Sequence, residues 1–320
     1  MNDAALRAIA AAYALQDARI LGTRDTRVVQ VGSARGAVAV KSFTNDEWPR
    51  AQLEAGLLAH LEQPSAGYRV QTLLRTTANA PLLALDDGAV LVTRWEAGHS
   101  KDYREIARDE WRALGASLAA LHTRLDDYPR PLARLSATIG ARDPAAERAA
   151  IAAVRARAEA HDPARAALVA RYLEDRLRLL ARHAEAARAI PDDRENPIHN
   201  DYNQYNYLFD GRTPPVILDW EGAIGAPREY EVVRCLNHLP IEAPVVARAF
   251  VDGYRAQRPL RPAALRWAVA AALTEHAVKH WPLHRFLRDE PESGARLDGT
   301  MPMVHALVTD DDALLRFFAE

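Results

Sequence analysis

The chain has 320 residues, of which 49% are hydrophobic, enough for one large domain or two smaller ones with a substantial core. Lysine and arginine total 41 against 43 acidic residues, a formal net charge of −2. This balance excludes a dedicated nucleic-acid-binding protein, which would carry a strong basic excess. The single cysteine, Cys235, excludes an internal disulfide framework and a cysteine-based zinc site.

The N-terminus and the distribution of apolar residues bear on localisation. The first residues, MNDAALRAIAAAYAL, carry Asp3 early and lack the basic start and long apolar run of a signal peptide. No stretch approaches the roughly 18 uncharged apolar residues that a membrane span needs. We therefore expect a cytoplasmic protein that binds neither membranes nor nucleic acid.

The N-terminal part of the chain is predicted to be rich in β-strands. A helix is predicted over 4–16, and three strands within 18–43, where short β-branched runs alternate with turn residues. Leucines at helical spacing predict a helix over 45–62. Two further strand-like runs, 68–76 and 89–95, follow with a turn between them.

The remainder of the chain is predicted to be mostly helical. Residues 101–190 are rich in Ala, Arg, Leu and Glu, which favours helix. The helices predicted there span 103–124, 144–160 and 163–189. Residues 196–221 are β-like with two turns, and residues 229–320 return to a helical pattern.

This order of elements predicts an α+β fold with two lobes. The N-terminal, β-rich lobe is expected over 1–94, with a hinge at about 93–98. The helical C-terminal lobe is expected over 95–320, and a ligand would bind between the two.

One short stretch concentrates polar residues within a β-prone run. It is IHNDYNQYNYLF, residues 198–209, and it is followed by the turn Asp210-Gly211 and by PPVILDWEGA. A hairpin at this turn would bring Asp201, Asn206 and Asp219 to the same end. Two carboxylates and an amide oxygen form a hard-oxygen set that suits Mg²⁺ better than zinc.

This pattern resembles a known family motif. His199, Asp201 and Asn206, followed by Asp219 after an apolar run, resemble the H-x-D-x-x-x-x-N and D motif of the aminoglycoside phosphotransferase and choline kinase-like family. The resemblance implies a protein-kinase-like fold with two lobes. It also implies ATP-dependent phosphoryl transfer to a hydroxyl group of a small molecule, with Mg²⁺ as the metal.

The resemblance implies a lysine on the third strand and a carboxylate on the next helix. Lys41 lies in AVAVKSF, where the period-2 pattern leaves it facing either a cleft or water, and the resemblance implies the cleft. Glu54 is favoured as its partner because it lies in mid-helix beside the apolar stripe. Glu47 and Glu62 are the alternatives.

Further nucleotide contacts are implied at two places. The loop after the first strand, 22–26, offers Thr23 and Thr26 for the phosphates, although its single glycine makes this signal weak. Backbone groups around Thr93 to Trp95 would bind adenine. The resemblance thus assigns these residues, with Lys41 and Glu54, to nucleotide binding.

The family's reaction assigns a role to each motif residue. Asp201 would accept or orient the proton of the attacking hydroxyl, and Asn206 and Asp219 would hold Mg²⁺. Lys41, paired with Glu54, would bind the phosphates. His199 is interpreted as a support for the loop.

The phosphate acceptor is left open by the sequence. The motif is compatible with several acceptors: an aminoglycoside-like antibiotic, an amino alcohol, homoserine or a sugar. The first of these would make the protein an antibiotic-resistance enzyme. Acidic residues such as Asp310–Asp312 would suit a polycation, and Tyr254, Trp267 or Trp281 a quaternary amine. The alternative is a catalytically silent, kinase-like protein that binds nucleotide or a partner. The sequence does not determine the oligomeric state.

Overall fold

A computed structural model describes residues 1–24, 27–63, 65, 67–191, 195–290 and 293–319. The contacts within the chain divide it into two units. The first comprises Met1–Pro131 and Pro197–Ala223, and the second comprises Leu132–Asn196 and Ile224–Glu320. This grouping differs from the predicted boundary between 1–94 and 95–320, and the hinge near 93–98 stays a prediction.

The mixed α+β class predicted from the sequence is confirmed. The strands are β1 (Arg19–Thr23), β2 (Val28–Ser33), β3 (Gly36–Thr44), β4 (Arg69–Val70), β5 (Leu83–Leu85), β6 (Gly88–Arg94), β7 (Asn196–Ile198), β8 (Tyr207–Leu208), β9 (Val216–Ile217) and β10 (Ile224–Ala226). The helices are α1 (Asp3–Ala12), α2 (Trp48–Leu61), α3 (Arg108–Leu125), α4 (Leu135–Ala141), α5 (Pro144–His161), α6 (Ala166–Arg188), α7 (Arg228–Leu236), α8 (Leu239–Glu242), α9 (Pro244–Arg255), α10 (Pro262–Val278), α11 (Trp281–Phe286), α12 (Ser293–Thr309) and α13 (Asp311–Ala319).

The first unit contains an antiparallel sheet in the order β1-β2-β3-β6-β5. Its three leading strands confirm the prediction for 18–43. Val29, opposite Val40, and Val40, opposite Val92, place β-branched side chains on one buried face. Helix α1 packs Ile9 into the same core. The alternation of apolar residues therefore fixes the register of the strands that carry Lys41.

Helix α2 follows a capped turn and positions a carboxylate. The Glu47 side chain accepts from the Thr44 backbone N–H at 3.1 Å, which secures the helical turn that precedes α2. Leu57, Leu58 and Leu61 are buried along one side of α2, which packs against β3 and β6. Glu54 lies within this buried surface.

The strand predicted over 68–76 is largely wrong. Only β4 is regular, and it pairs in parallel with β9 outside the five-stranded sheet. On the edge away from β3, the first residues of β6 pair antiparallel with β5. Residues 72–74 lie beside the last residues of β6, where Leu74 N donates to Val92 O. The Arg69 guanidinium donates to the Asp210 carboxylate at 2.7 and 2.9 Å, so an ion pair distant in sequence holds the start of this run beside β9.

The second unit is built mainly from helices. The predicted helices at 144–160 and 163–189 are confirmed as α5 and α6, and residues 229–320 are mostly helical as predicted. Helix α10 packs along α6, and the indole of Trp267 donates to Ala187 O at 2.9 Å across this contact. No helix in the described part of the chain has the length and apolar character that crossing a membrane requires.

The ion pair between Arg69 and Asp210 should stabilise the first unit. Arg69 and Arg212 both donate to Asp210, and the hydrogen bonds from Arg69 are the main reason that the pKa of Asp210 is far below its usual range. The Asp210→Asn substitution should lower the free energy of unfolding at pH 7 by about 2 kcal/mol. Denaturant unfolding followed by circular dichroism measures this.

The pH dependence provides a second test. A carboxylate with a depressed pKa contributes its full stabilisation above its unfolded-state pKa of about 4, and loses it as the pH falls. The difference between the wild type and Asp210→Asn should therefore narrow from pH 7 to pH 3. The control Asp87→Asn, in the exposed turn before β6, should change stability little at any pH. A constant difference for Asp210→Asn would contradict this account.

Candidate active site

The hairpin predicted around Asp210-Gly211 is present in the first unit. Strands β8 and β9 pair antiparallel, and Leu218 N donates to Asn206 O at 3.0 Å just beyond them. This pairing brings Asn206 next to the residue that precedes Asp219. The backbone of Asp219 is left-handed, with φ of 64°, and its N–H donates to the Gln71 side chain at 3.1 Å. A strained residue at the end of a strand is a frequent mark of a functional site.

Two side-chain amides hold the carboxylate of Asp201. Asn203 Nδ2 donates to Asp201 Oδ1 at 2.8 Å, and Asn206 Nδ2 donates to Oδ2 at 2.9 Å. Asn206 Nδ2 also reaches the Asp201 backbone oxygen at 2.8 Å. Tyr202, which follows Asp201, is anchored to α3 through a hydrogen bond from its hydroxyl to Leu114 O. The loop thus presents an exposed, oriented carboxylate on a fixed backbone.

His199 has the geometry of a structural support. Its side chain is buried, Nε2 lies 2.8 Å from Leu218 O, and Nδ1 accepts from Asp201 N at 3.2 Å. The Leu218 carbonyl requires a donor at Nε2, and the Asp201 N–H requires an acceptor at Nδ1. The ring is therefore neutral, with its proton on Nε2. Burial lowers the pKa of His199, which agrees with a neutral ring. The contacts of this side chain are those of a residue that links the loop to the hairpin.

Lys41 points into the molecule and contacts three carboxylates. Its Nζ lies 2.7 Å from Glu54 Oε2, 2.7 Å from Asp219 Oδ1 and 3.0 Å from Glu221 Oε2. The structure therefore settles the direction that the strand pattern left open. The three ion pairs join strand β3, helix α2 and the end of the hairpin at one ammonium group.

Glu54 is the partner of Lys41, as favoured from the sequence. Its side chain has no solvent exposure, and Oε1 accepts from Trp220 N at 3.3 Å. The two alternative partners, Glu47 and Glu62, contact other residues. Glu47 caps the turn before α2, and Glu62 is 44% exposed and lies 3.5 Å from Arg75.

The pKa values follow from burial and mutual charge. Burial alone would lower the pKa of Lys41, but the carboxylates of Glu54, Asp219 and Glu221 outweigh it and raise that pKa. Burial raises the pKa of Glu54, and the adjacent ammonium group opposes this rise. Burial also acts to raise the pKa of Asp219, but Lys41 outweighs it and the net shift is downward. The site therefore retains ionised Lys41 and Asp219 at neutral pH.

Glu221 and Arg27 are parts of the site that the sequence did not reveal. Arg27 donates to both carboxylate oxygens of Glu221, at 2.7 and 3.0 Å. Glu221 lies two residues after Asp219, but the backbone at Asp219 is left-handed, so no strand periodicity predicts that the two side chains meet. No sequence pattern identifies Arg27, since its partner is 194 residues away.

Three carboxylates that surround Lys41 offer oxygen atoms to a metal. One oxygen from each of Glu54, Asp219 and Glu221 lies within 4.8 Å of the others. Mg²⁺ binds such hard oxygen ligands together with water and phosphate. Asn206 donates through its nitrogen to Asp201, so its Oδ1 is the atom that could join this set. The oxygens of Asp219, Glu221 and Asn206 fit the metal, whereas those of Glu54 are held by Lys41 and Trp220 N.

The remaining residues predicted to bind nucleotide are placed as follows. Thr23 is exposed at the end of β1, Thr26 lies outside the described residues, and Thr93 is buried in β6. Trp95 N donates to Ala37 O at 3.1 Å, so this backbone donor is already used within the first unit. Roles for these four residues in nucleotide binding stay predictions.

Several residues considered for the acceptor have structural contacts in the second unit. Asp311 accepts a hydrogen bond from Arg182 and lies 3.0 Å from His183 Nε2. Tyr254 and Trp267 are buried, whereas Trp281 is 50% exposed. These positions do not identify an acceptor.

Solved structures of several kinases share this fold. A spectinomycin phosphotransferase in complex with ADP and spectinomycin has a TM-score of 0.69 at 14% identity, covering 99% of this chain and 97% of that protein. An amicoumacin kinase in complex with AMP-PNP and Ca²⁺ has a TM-score of 0.66 at 14% identity, covering 98% and 94%. A microcompartment-associated aminopropanol kinase has a TM-score of 0.57 at 16% identity, covering 98% and 100%.

Sequence comparison assigns the family directly. No curated protein matches the chain. A family model described as the phosphotransferase enzyme family matches residues 18–290, a range that includes Arg27, Lys41, Glu54, Asp201 and Asp219. This match covers most of the sequence and agrees with the fold and with the motif in the hairpin, and the chain therefore belongs to the phosphotransferase enzyme family.

Proposed function

We propose that this protein transfers the γ-phosphate of ATP to a hydroxyl group of a small molecule, with Mg²⁺ as the metal. The observation that carries the proposal is the convergence of Lys41 on Glu54 and Asp219, beside a loop that presents Asp201. An ammonium group among carboxylates, next to an oriented carboxylate, can bind a metal-nucleotide and deprotonate an alcohol.

Asp201 is proposed as the catalytic base. It accepts the proton of the acceptor hydroxyl as the oxygen attacks the γ-phosphorus and the bond to ADP breaks. The amides of Asn203 and Asn206 hold both its oxygens, which limits rotation of the carboxylate. Because phosphoryl transfer depends mainly on positioning, this restraint favours the reaction.

Lys41 and Glu54 are proposed to bind the phosphates of ATP. Glu54 holds the ammonium group in place, since its own side chain is fixed by burial and by Trp220 N. Asp219 and Asn206, with Glu221, would hold Mg²⁺. The metal, when bound, neutralises charge on the phosphate oxygens.

The loop after β1 and the segment around Thr93 are proposed to complete the nucleotide site. Thr23 and Thr26 would contact phosphate, and backbone groups near Thr93 and Trp95 would contact adenine. The nucleotides in the solved spectinomycin phosphotransferase and amicoumacin kinase support a nucleotide in this fold.

The acceptor is proposed to be a small hydroxyl compound. The structural neighbours include kinases named for spectinomycin, amicoumacin and aminopropanol, so both antibiotics and simple amino alcohols belong in a test. A screen should measure ADP release and acceptor phosphorylation across aminoglycosides, amino alcohols, homoserine and sugars, with and without Mg²⁺. One acceptor that is phosphorylated only with Mg²⁺ is the expected result. Failure to bind Mg·ATP would refute the proposal, and binding without transfer to any acceptor would favour the silent alternative.

Replacing Lys41 should affect both nucleotide binding and stability. The Lys41→Met substitution leaves the buried Glu54 carboxylate without its counter-ion, which should cost about 3–5 kcal/mol of stability. It should also weaken Mg·ATP binding, measured by calorimetry. In the double variant Lys41→Met/Glu54→Met, stability should largely return while nucleotide affinity should not. If affinity returned with stability, Lys41 would have only a structural role.

Replacing Asp201 should separate catalysis from nucleotide binding. The Asp201→Asn substitution removes the base but keeps the shape of the side chain, so kcat should fall by about 10²- to 10⁴-fold. The dissociation constant for Mg·ATP should stay at the wild-type value, and the melting temperature should fall only slightly, because the new amide nitrogen cannot accept one of the two hydrogen bonds from Asn203 and Asn206. A variant that phosphorylates the acceptor at the wild-type rate would show that Asp201 is not the base.

A further inference from the structure

Arg27 occupies a fixed place beside the proposed phosphate site. It directly precedes β2, and its backbone oxygen accepts from Ser42 N at 2.9 Å, next to Lys41 on β3. Its side chain is 35% exposed and donates two hydrogen bonds to Glu221. Arg27 Nη1 also lies 3.5 Å from Glu47 Oε1. The guanidinium group is thus near the proposed metal ligands but retains access to solvent.

Arg27 and Lys41 share one oxygen atom. Glu221 Oε2 lies 3.0 Å from Arg27 Nη1 and 3.0 Å from Lys41 Nζ. Lys41 also contacts Glu54 and Asp219, and Arg27 contacts Glu47, which lies 3.8 Å from Arg50. These residues form a network of three cations and four carboxylates with a formal charge of −1, so a divalent cation at Glu221 would bring excess positive charge beside Arg27.

A metal ion at this network would compete with Arg27. Glu221 is one of the three carboxylates whose oxygens lie within 4.8 Å of one another. A divalent cation bound to Glu221 would repel a guanidinium group only about 3 Å from that carboxylate. Arg27 would then require another anion, and the planar fork of arginine binds phosphate with two hydrogen bonds.

The adjacent loop gives a reason for a second cation at the phosphates. Glycine-rich loops bind phosphate through closely approaching backbone N–H groups. Gly22 lies within β1, and residues 24–27 between β1 and β2 include no glycine, the residue that most readily permits such close approach. A side-chain cation at the end of the loop would supply charge that the backbone does not.

We propose that Arg27 is a second phosphate-binding residue beside Lys41. In the nucleotide-free protein it holds Glu221, and it transfers its hydrogen bonds to the β- or γ-phosphate when Mg·ATP binds. This inference rests on the proposed function. It adds Arg27 to the phosphate-binding residues and proposes that Arg27 exchanges Glu221 for phosphate when the nucleotide binds. Arg27 binds and orients the phosphates, whereas Asp201 remains the base.

Nucleotide titrations provide the first test. Arg27→Met should weaken Mg·ATP binding about tenfold or more, measured by calorimetry, and leave adenosine and AMP binding unchanged. The matched control is Arg35→Met, which removes the same charge from the turn between β2 and β3; Arg35 is exposed and lies outside the proposed nucleotide site. This control should bind Mg·ATP as the wild type does. Equal affinities for the two variants would overturn the proposal.

A double-mutant cycle without metal tests the exchange of partners. In the presence of EDTA, Glu221 competes with ATP for Arg27, so Glu221→Gln should raise ATP affinity in the wild-type background. In the Arg27→Met background the same substitution should have a smaller effect, because the competition is absent. Equal effects in both backgrounds would show that Arg27 does not leave Glu221 for the nucleotide.

Two controls separate the possible failures. Arg27→Gln serves as a second variant, and only proteins with the wild-type melting temperature are compared. If the wild-type protein does not bind Mg·ATP, the proposed function fails. If it binds Mg·ATP but neither Arg27 variant differs from Arg35→Met, the inference about Arg27 alone is overturned.

Discussion

A carboxylate without solvent exposure, Glu54, sets the requirement that the rest of the site satisfies. An ionised group in such a position needs a counter-charge and hydrogen bonds, because desolvation costs several kcal/mol. Lys41 supplies the charge from β3, and Trp220 N supplies the hydrogen bond from the end of the hairpin. One buried group thereby ties the sheet, helix α2 and the segment that carries Asp219 to a common geometry.

The hairpin and its loop position the remaining chemistry by local means. Pairing of β8 with β9 places Asn206 beside the residue before Asp219, and the amides of Asn203 and Asn206 orient Asp201. His199 connects the loop to the same hairpin through Leu218 O. The polar residues that interrupt this β-prone stretch therefore serve one another as hydrogen-bond partners, which removes the cost of burying several of them.

The parts that could be predicted from the sequence depend on short-range patterns. The spacing of Asp201, Asn206 and Asp219 across a turn predicts their convergence, because a hairpin is a local structure. The direction of Lys41 was not determined, since a period-2 pattern offers two faces and only tertiary packing chooses one. The pairing of Arg27 with Glu221 could not be foreseen, because it joins residues 194 positions apart.

The left-handed backbone at Asp219 affects how this protein can change during evolution. Among residues with a side-chain Cβ, aspartate and asparagine tolerate this conformation better than most. An asparagine at this position would keep the backbone geometry while removing the negative charge of a proposed metal ligand. The backbone conformation alone would therefore not preserve the carboxylate, and its retention depends on the ion pair with Lys41 and on the proposed role toward the metal.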